Sequence, residues 1–396
     1  MAGDQRFPGA GRSGLYDESE QVTPAPAAAA GRSAQLPDVD AGDDVAAGQT
    51  SDSALDGAGV RAEGAATSTK AERPRSFNLT EQPDEEHGTT DRARQGWRGW
   101  LNRSFGGTFR LSAGPSERAA LESSVALDRD ESVIRQSSWT RGVGILVANK
   151  KGTAGKTPTA ICLGGVLASI RGGSVAIVEA SDDRGQLAYR SEGDPALGIG
   201  ELVSALSGVA TQSQLRGYSV TQRSFASVIG STAHWRAPLD GDGVRGVAKI
   251  IDEHFTLRVW DTGNQYSSGA FVAAVETADV LVIPTMNSAD SILDGLELLD
   301  FLRARGAHGR MLAESAIVVR LSDGRPESVK DSRVLGSFNQ AGVPTEHIYS
   351  VPFDAHIAER GPITLENLAP ATRAAFTAVA AAAIRQANRN VHQKEN

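Results

Sequence analysis

Val143 to Thr157 reads VGILVANKKGTAGKT: an apolar run, then a loop rich in Gly and Lys that closes on Gly155-Lys156-Thr157. An apolar strand feeding a glycine-rich turn and then a helix is the physical recipe for a phosphate cradle. Loop N–H groups and the helix N-terminus face the anion, a lysine ammonium spans the outer phosphates, and a hydroxyl sits on Mg²⁺. Lys156 is read as the phosphate lysine and Thr157 as the metal ligand. Gly152, Thr153, Ala154 and Gly155 complete the cradle, and Pro158 sits in the first helical turn, where its missing N–H costs little. ATP and Mg²⁺ are the implied ligands.

The general pattern G-x-x-x-x-G-K-[ST] is missed at its first position, where Lys150 stands. With Asn149 ahead of it, NKKGTAGKT resembles the deviant Walker A loop of the ParA/MinD ATPases, within the SIMIBI class, which usually reads N-x-K-G-G-x-G-K-[ST]. Lys151 falls on that family's second, signature lysine. Thr153 falls on a family glycine, so it adds a Cβ close to the phosphates and is expected to constrain the loop.

The resemblance continues at two strand ends. VEASDDRGQLAYR stands where the family's first switch reads D-x-D-P: Glu179 takes the first acidic position, Ser181 the second, and Asp182 the proline position. The second position is where family members carry the Asp that orients the attacking water. A serine cannot act as a carboxylate base, and losing such a group slows hydrolysis by orders of magnitude. Asp182 or Asp183 are the substitutes from a shifted register. ATP binding is therefore better supported than turnover, and a weak ATPase is expected. Roughly 105 residues after Lys156, FTLRVWDTGNQYSSG gives a strand ending on Asp261 with Thr262 and Gly263 behind it. It resembles the family's D-T-x-x second switch, in which the strand-terminal carboxylate holds the Mg²⁺ water.

From Val143 onward, apolar strands alternate with helical patterns, the signal for an α/β fold with a doubly wound, mostly parallel sheet. Strands are expected at 174–178, 225–229, up to Asp261, at 280–283, at 315–319 as the sixth, and within HIYSV. A helix is expected over 244–253. In a second, long amphipathic helix Ile292, Leu293, Leu296, Leu299 and Leu302 recur at three- and four-residue spacing and are read as core. In ParA/MinD proteins the ends of the last two strands wrap the adenine, so the resemblance makes Arg320 and the turn Pro352-Phe353-Asp354 base contacts. A terminal helix from Ala369 to about Asn388 carries Phe376, Val379 and Ile384. It is expected to pack against the sheet, because it lacks the cation-flanked apolar face of a membrane-targeting helix.

The N-terminal part is of another kind. Residues 1–95 are rich in Ala, Gly, Pro, Ser, Asp and Glu, without sustained period, and are expected to be a disordered tail. They hold 17 Asp and Glu against 9 Lys and Arg, a balance of −8 that equals the net charge of the whole chain. The remainder is near neutral, which removes the simple argument for a strongly basic nucleic-acid binder, although a local patch for non-specific DNA stays open. Arg92 to Arg110, RARQGWRGWLNRSFGGTFR, interleaves five arginines with Trp97, Trp100, Phe105 and Phe109 and holds no acidic residue. Such a segment suits a protein partner, a phosphate backbone or a membrane surface, or an arm that packs its aromatics on the domain. A short helix opened by Pro115-Ser116-Glu117 follows it.

The N-terminus lacks the apolar core of a secretory signal, and no run reaches the ~18 apolar residues of a membrane span, so a cytoplasmic protein without integral membrane association is expected. The single cysteine, Cys162, excludes an intramolecular disulfide and a multi-Cys zinc site, and is expected to be a buried packing residue.

These readings divide the chain into a tail (1–95), a basic and aromatic linker with a short helix (96–141), a ParA/MinD-like ATPase domain (142–390) and a C-terminal tail (391–396). The resemblance implies a homodimer formed with ATP, in which Lys151 of one protomer reaches the phosphates bound to the other, and a protein partner engaged through the tail or the Trp97/Trp100 segment. It points to a slow, ATP-dependent switch that partitions DNA or positions a cellular assembly. The alternative is a non-hydrolysing ATP-bound scaffold. The tail and Trp/Arg segment look like the MinD-like proteins of actinobacteria, found near secretion or conjugation machinery. A metabolic P-loop enzyme is a third class.

Overall fold

The computed structural model describes residues 114–232, 234–326 and 329–395. The expectations for the tail and for the Arg92–Arg110 segment lie outside these residues.

Eight strands form one sheet: β1 (Val143–Val147), β2 (Val175–Ala180), β3 (Val220–Thr221), β4 (Ser227–Ile229), β5 (Leu257–Thr262), β6 (Val280–Met286), β7 (Ile317–Leu321) and β8 (Ile348–Val351). Their spatial order is β3-β4-β2-β5-β1-β6-β7-β8. Every pairing is parallel except the antiparallel edge pair β3–β4. The expected doubly wound, mostly parallel sheet is what forms. Ile317–Leu321 is the seventh strand rather than the sixth, because the two residues of β3 are too short to carry a period.

The longer helices are α1 (Pro115–Gln136), α2 (Lys156–Arg171), α3 (Gly241–His254), α4 (Gly269–Glu276), α5 (Ala289–Arg303), α6 (Gly306–Glu314), α7 (Asp331–Gln340) and α8 (Pro370–Glu395). Strand alternation sorts them into two layers. Val143, Ile145 and Val147 of β1 pack with α1, α2 and α8, whereas Leu146 and the following Ala148 pack with α3 to α7. All five β1 residues are buried, as a strand covered on both faces requires.

Leu299 and Leu302 of α5 are buried as expected, but Leu293 is 58% exposed, so the apolar spacing there overstates the core. The terminal helix does cover the sheet: Phe376, Val379 and Ile384 are fully buried. The helix before β1 is longer than expected. Its last turns dock on the domain through buried Ile134, the Asp130–Arg385 pair (3.0 Å), and the Ile134 and Ser137 carbonyls, which accept from Arg171 at 2.7 and 2.8 Å. The hydrophobic core therefore reaches back beyond residue 142. Cys162 is buried in it, and burial pushes its thiol far up, in keeping with a packing role. Among the described residues no helix is long and apolar enough to cross a membrane.

The chain leaves β1 for β2 on one side and returns through β5 to β6 on the other. The carboxyl end of β1 is thus the point where the winding reverses, the place in an open α/β sheet where loops part to form a crevice.

Candidate functional site

At that point the quoted loop runs from β1 into α2. Asn149 is its fixed anchor: buried, it donates from Nδ2 to the carbonyls of Pro284 (2.9 Å) and Ser291 (3.2 Å) and accepts from the Lys151 N–H (3.0 Å). Gly155 closes the loop in the left-handed region at φ 89°, a conformation that favours glycine. A methyl there would also sit 2.2 Å from Leu321 Cδ1, so the end of β7 walls the loop.

Lys156 Nζ donates to the Lys151 carbonyl at 3.0 Å and to Asn264 Oδ1 at 2.5 Å. Thr157 Oγ1 donates to Asp261 Oδ2 at 2.7 Å, while the other oxygen, Oδ1, is buried without a hydrogen-bond partner. A buried carboxylate oxygen left unpaired costs free energy unless something fills the place. Burial pushes the Asp261 carboxyl up to about 7, and neighbouring Glu179 adds to the rise, against the Thr157 hydroxyl and the Lys156 ammonium. Burial likewise pushes Lys156 down to about 8, against Asp261 and Asp294.

These groups fit a magnesium nucleotide. Thr157 and Asp261 would hold Mg²⁺ with water and phosphate oxygens, which matches the habit of this ion of taking few protein ligands. No group of three or more His, Cys, Asp or Glu among the described residues could hold a metal by itself. The start of α2 offers N–H donors for phosphate, whereas within the loop the Ala154 N–H already donates to the Lys151 carbonyl at 3.2 Å.

Lys151, expected at a partner's phosphates, here pairs with Asp290 of α5 at 2.7 Å. The Asp290 hydrogen bond raises the Lys151 pKa, and the same bond holds the Asp290 carboxyl below its usual range. Thr153 is exposed and not among the residues with positive φ, so its own backbone is unstrained. Glu179 is buried and already engaged, accepting from Arg236 Nη2 (2.9 Å), Gly185 N (3.0 Å), Ser231 N (3.3 Å) and the Ser231 hydroxyl.

Two of the expected base contacts already have partners inside the protein. Arg320 is buried beside Asp331 and Ser350, on the face opposite α2, because the pleat turns Leu321 and not Arg320 toward the loop. Asp354 is buried as a helix cap, accepting from His356 N (3.0 Å) and Ala369 N (2.9 Å). Pro352 and Phe353 are exposed at the end of β8, with Phe353 against Gly324.

Two residues escaped the sequence reading. Asn264 is the residue directly after Asp261-Thr262-Gly263, so the motif did point to it. Arg236 lies in a stretch without period, 57 residues from Glu179, and no local signal marks it.

The strand order and the loop geometry define a P-loop nucleotide-binding fold. Among solved structures, the chain is similar to the cell division ATPase MinD of Pyrococcus furiosus at 20% identity and a TM-score of 0.47, covering 61% of this chain and 98% of that one. It is similar to a ParA family ATPase from Chlorobium tepidum TLS at 16% identity and a TM-score of 0.48, covering 64% and 96%. The septum site-determining protein MinD of Pyrococcus horikoshii, complexed with Mg-ADP, shares 18% identity at a TM-score of 0.47, covering 60% and 94%. No family model and no curated protein matches the chain.

Proposed function

We propose that the chain is an ATP-binding switch of the ParA/MinD type, dimerising with ATP, hydrolysing it slowly, and acting in DNA partitioning or in positioning a cellular assembly. One observation carries the reading: the Thr157 hydroxyl on Asp261, with Asp261 Oδ1 left unpaired beside the Lys156 ammonium. A hydroxyl, a buried carboxylate and a partly desolvated lysine at the mouth of a glycine loop together suit a metal-bound polyphosphate. When bound, Mg²⁺ neutralises charge on the outer phosphates. Lys156 holds those phosphates, the loop amides orient them, and Asp261 fixes the metal's water. Lys151 has to leave Asp290 to reach a partner's phosphates.

Ser181 favours a second reading, a non-hydrolysing ATP-bound scaffold, and turnover separates the two. The test is ATP binding and hydrolysis by the wild type and by Lys156→Ala, with size-exclusion chromatography in ATP or ADP. The switch is expected to bind, dimerise with ATP and turn over, with affinity falling at least about 100-fold in the variant. Binding and dimerisation without turnover would select the scaffold. A wild type that binds no nucleotide would overturn both.

A further inference from the structure

The segment after β2 is held against the end of β5 by an unusual set of contacts. Arg236 Nη2 donates to the carbonyls of Ser181 (2.9 Å) and Asp183 (2.7 Å), and Nη1 donates to that of Asp182 (2.8 Å). Leu239 N reaches the Asp182 carbonyl as well, at 3.2 Å. The main chain of Asp182 is thus fixed from two sides. Its carboxylate then lies over Gly263, where an added methyl would sit 3.0 Å from Asp182 Oδ1 and 2.7 Å from Ser181 Oγ. Gly263 is not among the glycines with positive φ, so this close approach, rather than backbone strain, is what a side chain there would disturb. The next residue, Asn264, holds Lys156 Nζ at 2.5 Å. The Asp182 carboxylate thus faces the bare Cα of Gly263, one residue before the Asn264 that holds Lys156, whereas Asp183 is exposed.

Resting on the nucleotide-binding reading above, we infer that Asp182 supplies the hydrolytic carboxylate that Ser181 cannot, with Arg236 as its positioning residue and Gly263 as the opening that admits it. In the step assigned to it, Asp182 orients a water and takes one of its protons. The water oxygen bonds to the γ-phosphorus while the bond from that phosphorus to the bridging oxygen breaks, its electron pair leaving on ADP. The second water proton stays on the released phosphate, and the proton on Asp182 passes to solvent.

The test compares wild type, Asp182→Asn, Gly263→Ala and Asp183→Asn in single-turnover ATP hydrolysis, in equilibrium binding of ATP, and in the lifetime of the ATP-loaded dimer. Asp182→Asn and Gly263→Ala are expected to keep ATP affinity within about threefold, lose at least about 100-fold in turnover, and lengthen the dimer lifetime because ATP persists. Asp183→Asn is expected to match wild type. Full turnover in Asp182→Asn, or loss in Asp183→Asn instead, overturns the assignment. A wild type that binds ATP without turnover overturns it too while leaving nucleotide binding intact. A wild type that binds no nucleotide removes the reading beneath it.

Discussion

Glu179 and Asp261 are direct partners across β2 and β5, both buried at the same end of the sheet, yet they are prepared for opposite tasks. Glu179 has Arg236 and Ser231 on it and is a finished internal ion pair. Asp261 has one hydroxyl, one unpaired oxygen and a carboxyl pushed up to about 7. Burial alone does not make a carboxylate functional. What decides is whether the fold supplies the counter-charge or leaves it to a ligand.

The largest effect expected to sharpen this contrast is on the engaged side. Arg236→Ala strands Glu179 in the interior and frees the carbonyls of 181–183, and should cost about 3–5 kcal/mol in urea unfolding. A loss below about 1 kcal/mol would mean that Glu179 is not held by that pair.

Asp354→Ala comes next, at about 2 kcal/mol, since two backbone N–H groups lose their acceptor, while ATP affinity stays at the wild-type value. Weakened ATP binding with unchanged stability would restore it as a base contact.

On the open side the expected effect is similar in size and depends on pH. The Asp261 carboxyl titrates higher in the folded chain than at its ordinary 3.8, so it stabilises the nucleotide-free protein at low pH, and that contribution is lost as pH rises toward about 7. Asp261→Asn should therefore gain about 2 kcal/mol relative to wild type between pH 5 and pH 7.5, read from paired melts without Mg²⁺. Parallel pH curves for the two proteins would show a carboxylate already compensated.

Smallest of all, Asp290→Asn should leave the melting temperature unchanged, because the pair with Lys151 is solvent-exposed. A clear drop would place that pair among the fixed contacts.

The contrast also marks how far the sequence could be read. β1, the glycine loop and Asp261 were legible because each is local: an apolar run, a turn that only small residues build, a carboxylate at a strand end. The layers followed from the alternation of strands and helices. What escaped is set by tertiary contact. Arg236 reaches Glu179 across 57 residues, and nothing near either announces it. The faces of Arg320 and Leu321 turn on a one-residue phase of the pleat, and Leu293 shows that a helical period fixes a stripe without fixing its width. The capping role of Asp354 was not legible, because strand ends carry both sites and caps.

The fastening of α1 has a mechanical consequence. Burial along this helix grows toward its C-terminal end, where Ile134 is fully buried and Arg171, in the last turn of the phosphate-loop helix, grips its final carbonyls. Its first turns are exposed, so hydrogen exchange should slow from Pro115 toward Gln136 like a zipper closed from one end. The first turns of this helix can therefore open by themselves, whereas its last turn can open only if α2 lets go of it.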